Sequence, residues 1–214
     1  MPVKHQTLIT ILSETRSLCL QLALISMNAL VANVFFFPDN TSWTSVFLFR
    51  FRTESDGKVA FDVVFGPAYK GISLGALVCA ALYSDFGVNV GFAYDRKEAK
   101  DHGEGGKLVG ASMEGKRVLV IDDVITAGTA IRGSHTMLEK IGAKPVGVVI
   151  ALDRAEKRSL DDPVSAVQAV ARDLAIPVVS IVSLPQLQGF LKKSPDYSDD
   201  VLASVSDYRA KYGV

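Results

Sequence analysis

The sequence predicts an α/β fold, in which a mostly parallel sheet is flanked by helices and a small N-terminal segment of uncertain structure precedes it. Three observations support this class. Short runs rich in Val, Ile and Phe alternate with segments whose apolar residues recur at helical spacing. Each predicted strand is almost wholly apolar, which is typical of strands covered on both faces. A chain of 214 residues is also long enough for one domain with a sizeable core.

The elements follow in order from hydrophobic periodicity and from the Gly and Pro residues that interrupt it. The predicted strands are 59–65, 88–94, 117–121, 146–152 and 178–184. Helices are predicted over 72–86, from about 130 to 141, over 164–175, and as two short helices after 184, with Gly142 at the end of the second helix. Ligands of parallel sheets bind at the carboxyl ends of the strands. The polar loops that meet there follow Phe65, Tyr94, Ile121 and Leu152.

Composition narrows the classes of partner. The 23 basic and 23 acidic residues balance, so no basic surface for nucleic acid is expected, and any charged ligand is expected to meet a local cluster. The two cysteines, Cys19 and Cys79, have apolar neighbours and are interpreted as reduced core residues of a cytoplasmic protein.

Residues 17–38 contain no charged side chain and are long enough to span a bilayer. Gln21, Asn28 and Asn33 interrupt this stretch, and the positive charge before it is weak. We therefore interpret it as a buried helix followed by an aromatic strand, and expect no membrane anchor.

An adjacent acid pair, Asp122 and Asp123, stands where a buried strand should end, although neighbouring like charges are poorly placed in a core. A loop of small residues and a predicted helix start follow, and free N–H groups at a helix start favour an anion. Gly128 permits close backbone approach, while the Thr126 and Thr129 hydroxyls can donate. The pattern predicts a sugar-phosphate site, with the phosphate on the loop and sugar hydroxyls on the acids. The alternative is an ordinary strand–turn–helix with a solvated acid pair.

This loop resembles the phosphoribosyl diphosphate signature of the type I phosphoribosyltransferases. The strings FGPAYKGI (65–72), RKEAKDHGEGG (96–106) and ALDRAE (151–156) resemble the members of that family that act on orotate. The similarity runs from about residue 59 to the end. It implies a phosphoribosyltransferase core over 59–214 and an atypical N-terminal hood segment over 1–58.

The resemblance implies transfer of a 5-phosphoribosyl group from phosphoribosyl diphosphate to orotate, giving orotidine 5′-monophosphate and pyrophosphate in pyrimidine biosynthesis. It implies Mg²⁺ held mainly by the substrate's diphosphate and ribose hydroxyls, with no dedicated protein ligands. It assigns diphosphate, ribose and phosphate contacts to Tyr69, Lys70, Arg96, Lys97, Lys100, His102, Asp122, Asp123, Val124, Ile125, Thr126, Ala127, Gly128, Thr129 and Ala130. It assigns orotate contacts to Thr126, Arg154, Phe36 and Phe37. The residues expected to take part in catalysis are Lys70, Lys100, His102, Asp122 and Asp123.

Each group also has a plainer interpretation. Lys70 in a turn is ordinarily solvated, the 96–106 string can be a solvated charge run, and Arg154 can form a surface ion pair with Asp153 or Glu156. Two rival functions stay open, namely a phosphoribosyltransferase for another base and a regulator that binds phosphoribosyl diphosphate without turnover. The resemblance further implies a homodimer with shared active sites.

Overall fold

A six-stranded sheet organises the chain in this computed structural model, which describes residues 59–97, 107–159, 162–192 and 199–214. The strands are β1 (Val63–Gly66), β2 (Gly91–Asp95), β3 (Leu108–Gly110), β4 (Arg117–Val124), β5 (Lys144–Asp153), β6 (Lys157–Ser159), β7 (Asp162–Ser165) and β8 (Val178–Ser183). The helices are α1 (Lys70–Phe86), α2 (Thr129–Lys140), α3 (Ala166–Leu174), α4 (Leu184–Leu191) and α5 (Asp199–Tyr212). The N-terminal predictions, including Phe36, Phe37 and the uncharged stretch 17–38, lie outside the described residues.

The strand order is β3-β2-β1-β4-β5-β8, and β6 pairs with β7 in a separate two-stranded sheet. β1 lies parallel to both β2 and β4, β4 is parallel to β5, and β5 is parallel to β8, while β3 is antiparallel to β2. The carboxyl ends of β2, β1, β4 and β5 therefore lie side by side at one edge of the sheet. This arrangement confirms the predicted fold class and brings the starts of the four polar loops to one edge of the sheet.

Two apolar layers cover the sheet, and β4 shows how one strand serves both. Val118 and Val120 belong to the cluster that packs against α2 and α3, whereas Leu119 and Ile121 belong to the cluster beneath α1. Burial of both faces explains the continuous apolar runs in the sequence. Cys79 lies half-buried in the α1 layer, and burial raises the pKa of its thiol to about 11, in agreement with the predicted core role.

The structure differs from the predicted elements at several ends. β4 continues past Ile121 because β5 offers partners to Asp122 and Val124, so both acids lie in the strand rather than in the loop after it. The first strand begins at Val63 instead of residue 59. β3 and the β6–β7 pair were not predicted, since short strands in polar stretches carry no clear periodicity. Within the described part of the chain, every helix is too short or too polar to span a lipid bilayer.

Candidate active site

The turn between β1 and α1 is built on two glycines in close contact. A Cβ atom on Gly66 would lie 2.1 Å from the carbonyl oxygen of Gly71, and one on Gly71 would lie 2.7 Å from the carbonyl oxygen of Ile121. Side chains larger than hydrogen cannot fit at either position. The tight turn places Tyr69 immediately before α1, with 67% of the residue exposed, and Lys70 at the first position of the helix.

The end of β2 is linked to this turn. Asp95 accepts a hydrogen bond from the backbone N–H of Ala68 at 2.6 Å. The Lys97 ammonium lies 4.6 Å from the centre of the Tyr69 ring, within the range of a cation–π contact. Asp95 was not predicted as a site residue. Its position directly before the predicted cationic loop could have indicated that it lies near the site.

The described residues include only the base of that cationic loop. The backbone N–H of Arg96 donates to the carbonyl of Lys107 at 2.7 Å, which closes the two ends of the loop onto each other. Lys100 and His102 lie outside the described residues. The predicted grouping of four cations is therefore represented by Arg96 and Lys97 alone.

The acid pair lies next to the turn, and one of its members pairs with Lys70, the cation that follows the turn. The Lys70 ammonium donates to Oδ2 of Asp123, and the backbone N–H of Asp123 donates to Oδ1 of Asp122 at 2.9 Å. Lys70 is thus paired rather than merely solvated, although 69% of its side chain is exposed. Burial raises the pKa of Asp122 to about 6, and the negative charge of Asp123 adds to that effect. Two carboxylates and one cation converge at this point of the sheet edge.

The raised pKa makes the charge on Asp122 costly for folding. The folded protein holds this proton more tightly than the unfolded chain does, so stability is lost as the pH rises through about 6. We expect Asp122→Asn to raise the melting temperature at about pH 8, with a smaller gain at about pH 4, where the carboxyl group is largely protonated in the folded protein. Thermal unfolding of both proteins at the two pH values checks this. An equal change at both values would contradict it.

Side chains of α2 and α3 pack against the loop between β4 and α2. Gly128 has φ of 75° and precedes α2, and a Cβ atom there would lie 2.3 Å from Cγ2 of Val170 and 2.5 Å from Nη1 of Arg132. The Arg132 guanidinium donates to the carbonyl of Ala127 at 2.8 Å and to Oδ2 of Asp173 at 2.7 Å. Arg132 and Asp173 were not predicted. The position of Arg132, one turn after Gly128 on a helix, was the available signal.

Four of the seven residues from 124 to 130, all of which were predicted to contact phosphoribosyl diphosphate, are exposed. Ile125 is buried in the core, Gly128 is also buried, and Val124 is partly buried at the end of β4. The exposed residues are Thr126, Ala127, Thr129 and Ala130. The first backbone N–H groups of α2 and the positive end of its dipole lie there, which suits an anion.

Arg154 follows β5 and is paired within its own loop. Its Nη2 lies 3.2 Å from Oε2 of Glu156, and the side chains are 13% and 19% exposed. The ion pair with Glu156 is therefore present, but it is largely buried rather than on the surface. Tyr208, from α5, donates its hydroxyl to the other oxygen of Glu156. The sequence predicted neither a role for Tyr208 nor its contact with Glu156.

Comparison with known proteins points to one family. Residues 48–178 match the model described as "Phosphoribosyl transferase domain". The orotate phosphoribosyltransferases of Laribacter hongkongensis and Chromobacterium violaceum are each 50% identical over 182 residues, which cover 85% of this chain and 83% of theirs. The crystal structure of orotate phosphoribosyltransferase from Francisella tularensis superposes with a TM-score of 0.63 and 36% identity, over 80% of this chain and 77% of that one. UMP synthase from Leishmania donovani shares the fold, with a TM-score of 0.54 and 23% identity over 71% of this chain and 29% of that one.

Proposed function

The chain belongs to the phosphoribosyltransferase family, and from that premise we propose that it transfers the 5-phosphoribosyl group of phosphoribosyl diphosphate to orotate. The products are orotidine 5′-monophosphate and pyrophosphate, in pyrimidine biosynthesis. The observation that carries the proposal is the acid pair on the strand that leads to the start of α2, with the Lys70 ammonium donating to Asp123. Relatives named for the orotate reaction and similar over most of their length support the choice of base.

The ribose 5-phosphate is proposed to bind at the start of α2. Backbone N–H groups of the loop 126–128 and of the first turn of α2 would hold the phosphate, because the first N–H groups of a helix have no partners within that helix. Asp122 and Asp123 would accept hydrogen bonds from the ribose hydroxyls. A carboxylate accepts such bonds more strongly than a neutral oxygen does, so the pair would fix the sugar in one orientation.

The diphosphate is proposed to leave toward the turn before α1. Negative charge grows on the leaving oxygen as the bond to the ribose breaks, and fixed cations lower the energy of that state. Lys70 directly follows the turn and donates to Asp123, and the Lys97 ammonium lies over the Tyr69 ring. Arg96, and Lys100 and His102 beyond the described residues, complete the proposed set of cations, with His102 as a binder or proton donor.

Mg²⁺ is the proposed cofactor, and the oxygen-rich acid pair fits a hard cation. Among the described residues, no group of three or more His, Cys, Asp or Glu side chains could hold a metal ion. The substrate's diphosphate and ribose hydroxyls would supply most of the ligands, next to Asp122 and Asp123. Bound there, the ion would neutralise charge on the diphosphate.

Orotate is proposed to meet Arg154, whose planar guanidinium matches a carboxylate. Thr126 is exposed in the loop between β4 and α2, here named the phosphate loop, and would contact the base from the other side. Phe36 and Phe37 are the proposed stacking residues. The cytoplasm is the proposed compartment.

The experiment that tests this function is a substrate panel. The purified chain, with phosphoribosyl diphosphate and Mg²⁺, should release pyrophosphate with orotate and not with adenine, hypoxanthine or uracil. Release with another base would favour the rival transferase. Tight binding of phosphoribosyl diphosphate without release would favour the regulator.

A homodimer is also proposed, on the exposed face of α1. No charged residue lies between Lys70 and Asp85, and Leu77 and Tyr83 are 67% and 65% exposed. The small side chains of Ala76 and Ala80 lie on the same face, where they allow close approach. A large apolar patch on a helix is unusual for a free surface, and a two-fold symmetric contact would pair this face with itself.

Mixing two inactive variants tests whether the dimer shares its sites. Lys100→Ala and Asp123→Asn are each expected to lose most activity. If Lys100 serves the neighbour's site, each mixed dimer has one site with both defects and one with neither. Random exchange makes about half of the dimers mixed, so about a quarter of the parent activity should return. No recovery, with mixed dimers verified by mass spectrometry, would show that Lys100 serves its own chain.

A further inference from the structure

Arg154, Glu156 and Tyr208 form a chain of largely buried contacts, the relay, which links the loop after β5 to α5. Glu156 lies between two partners, with one carboxylate oxygen 3.2 Å from Nη2 of Arg154 and the other accepting a hydrogen bond from the hydroxyl group of Tyr208. Tyr208 is 8% exposed. Both oxygens of Glu156 are thus engaged, one by a cation and one by a neutral donor, and the carboxylate cannot rotate without breaking one contact.

The backbone of the same loop is fixed by the same end of the chain. The N–H of Val214 donates to the carbonyl of Ala155 at 2.9 Å, and Gly213 forms an antiparallel bridge with Glu156. The N–H of Ala155 donates to Oδ1 of Asp153 at 2.8 Å, and Ala155 has φ of 52°, a conformation that few non-glycine residues adopt. The loop that carries Arg154 is therefore held in one shape by α5 and the residues that follow it.

We infer that Glu156 and Tyr208 are positioning residues that orient Arg154 for the carboxylate of orotate. The inference rests on the proposed function, which assigns that contact to Arg154. An arginine side chain loses rotational freedom when it binds a ligand, and a relay that fixes it beforehand lowers this cost. A guanidinium has five N–H donors in a planar fork, so it can serve a protein partner and a ligand together. The C-terminal helix α5 thus contributes to recognition of the base without touching it.

A purely structural role makes a different prediction. If the relay only anchored α5, its loss would lower the melting temperature and disturb the binding of both substrates alike. A positioning role raises the KM for orotate and leaves the KM for phosphoribosyl diphosphate almost unchanged, because the acid pair and phosphate loop lie on β4 and α2. The ratio of the two KM changes separates the roles.

The test uses Tyr208→Phe, which removes one hydroxyl, and Glu156→Gln, which removes the charge and keeps an acceptor oxygen. Tyr212→Phe is the matched control, since Tyr212 lies on the same helix with its ring centre 5.0 Å from that of Tyr208. Its hydroxyl makes no hydrogen bond with the residues that the structure describes. Arg154→Ala is measured beside them. Each full-length variant is assayed for both KM values, kcat and melting temperature.

We expect the KM for orotate to rise about three- to tenfold in Tyr208→Phe and in Glu156→Gln, the size that loss of one charge-assisted hydrogen bond produces. The KM for phosphoribosyl diphosphate should stay within about twofold, and Tyr212→Phe should resemble the parent. An unchanged KM for orotate in Tyr208→Phe, with a raised value in Arg154→Ala, would overturn the relay and leave the proposed function intact. Equal rises in both KM values would assign the relay a structural role. Absence of orotate-dependent turnover in the parent chain would instead contradict the proposed function.

Discussion

Replacing Asp123 by asparagine is expected to lower kcat/KM for phosphoribosyl diphosphate by about tenfold or more, because a neutral amide accepts a ribose hydroxyl more weakly than a carboxylate does. The change also removes the charge that pairs with the Lys70 ammonium. The fold should survive, since Asp123 is only partly buried and asparagine is nearly isosteric. Steady-state kinetics at saturating orotate measures the loss. A variant with the parent kcat/KM would exclude the proposed contact.

Asp62→Asn is the matched control for this substitution. Asp62 accepts three hydrogen bonds from Arg117 at the amino ends of β1 and β4, far along the sheet from the acid pair. The hydrogen bonds from the Arg117 side chain lower the pKa of Asp62 to about 2. Its ionised form stabilises the fold at neutral pH, and that contribution disappears as the pH falls toward 2. Asp62→Asn should therefore lower the melting temperature at neutral pH and leave kcat/KM unchanged.

Gly128→Ala is expected to abolish most binding of phosphoribosyl diphosphate and to destabilise the protein by about 1–3 kcal/mol. The added methyl group would collide with Val170 and with the Arg132 guanidinium, and alanine disfavours φ of 75°. Either response, a shift of the loop or a shift of α2, would move the N–H groups proposed to bind the phosphate. Calorimetric titration with phosphoribosyl diphosphate and thermal unfolding report the two effects.

Gly133→Ala provides the control for this prediction. Gly133 lies on the exposed side of α2, and a Cβ atom there would meet no atom within 4 Å. Alanine is favoured over glycine within a helix by up to about 1 kcal/mol, so this variant should be as stable as the parent or more so, with unchanged binding. Parent-like binding by Gly128→Ala would show that the phosphate does not depend on the shape of this loop.

The sequence was sufficient for the features whose signals are local. The acid pair, the small-residue loop and the start of α2 are contiguous, so the order of strand, loop and helix there could be predicted from about ten residues. The pairing of Lys70 with Asp123 joins residues 53 positions apart, yet both were expected at the same sheet edge because parallel strands align their carboxyl ends. The predicted parallel sheet therefore placed Lys70 near Asp123 although the two residues are far apart in the sequence.

The supporting contacts could not be predicted, because they join distant residues without a pattern. Arg132 meets Asp173 across 41 positions, and Tyr208 meets Glu156 across 52. Each pairing depends on how α3 or α5 packs, which periodicity does not specify. The extension of β4 through Asp123 has a similar origin, because β5 supplies the partners that keep two acids in a strand.

The most direct test of the central claim is formation of orotidine 5′-monophosphate by the purified full chain, supplied with orotate, phosphoribosyl diphosphate and Mg²⁺. We expect orotidine 5′-monophosphate and pyrophosphate to appear in equal amounts, both to depend on orotate, and Asp123→Asn to slow the formation of both together. Intact phosphoribosyl diphosphate in the presence of orotate, with tight binding of that ligand, would contradict it.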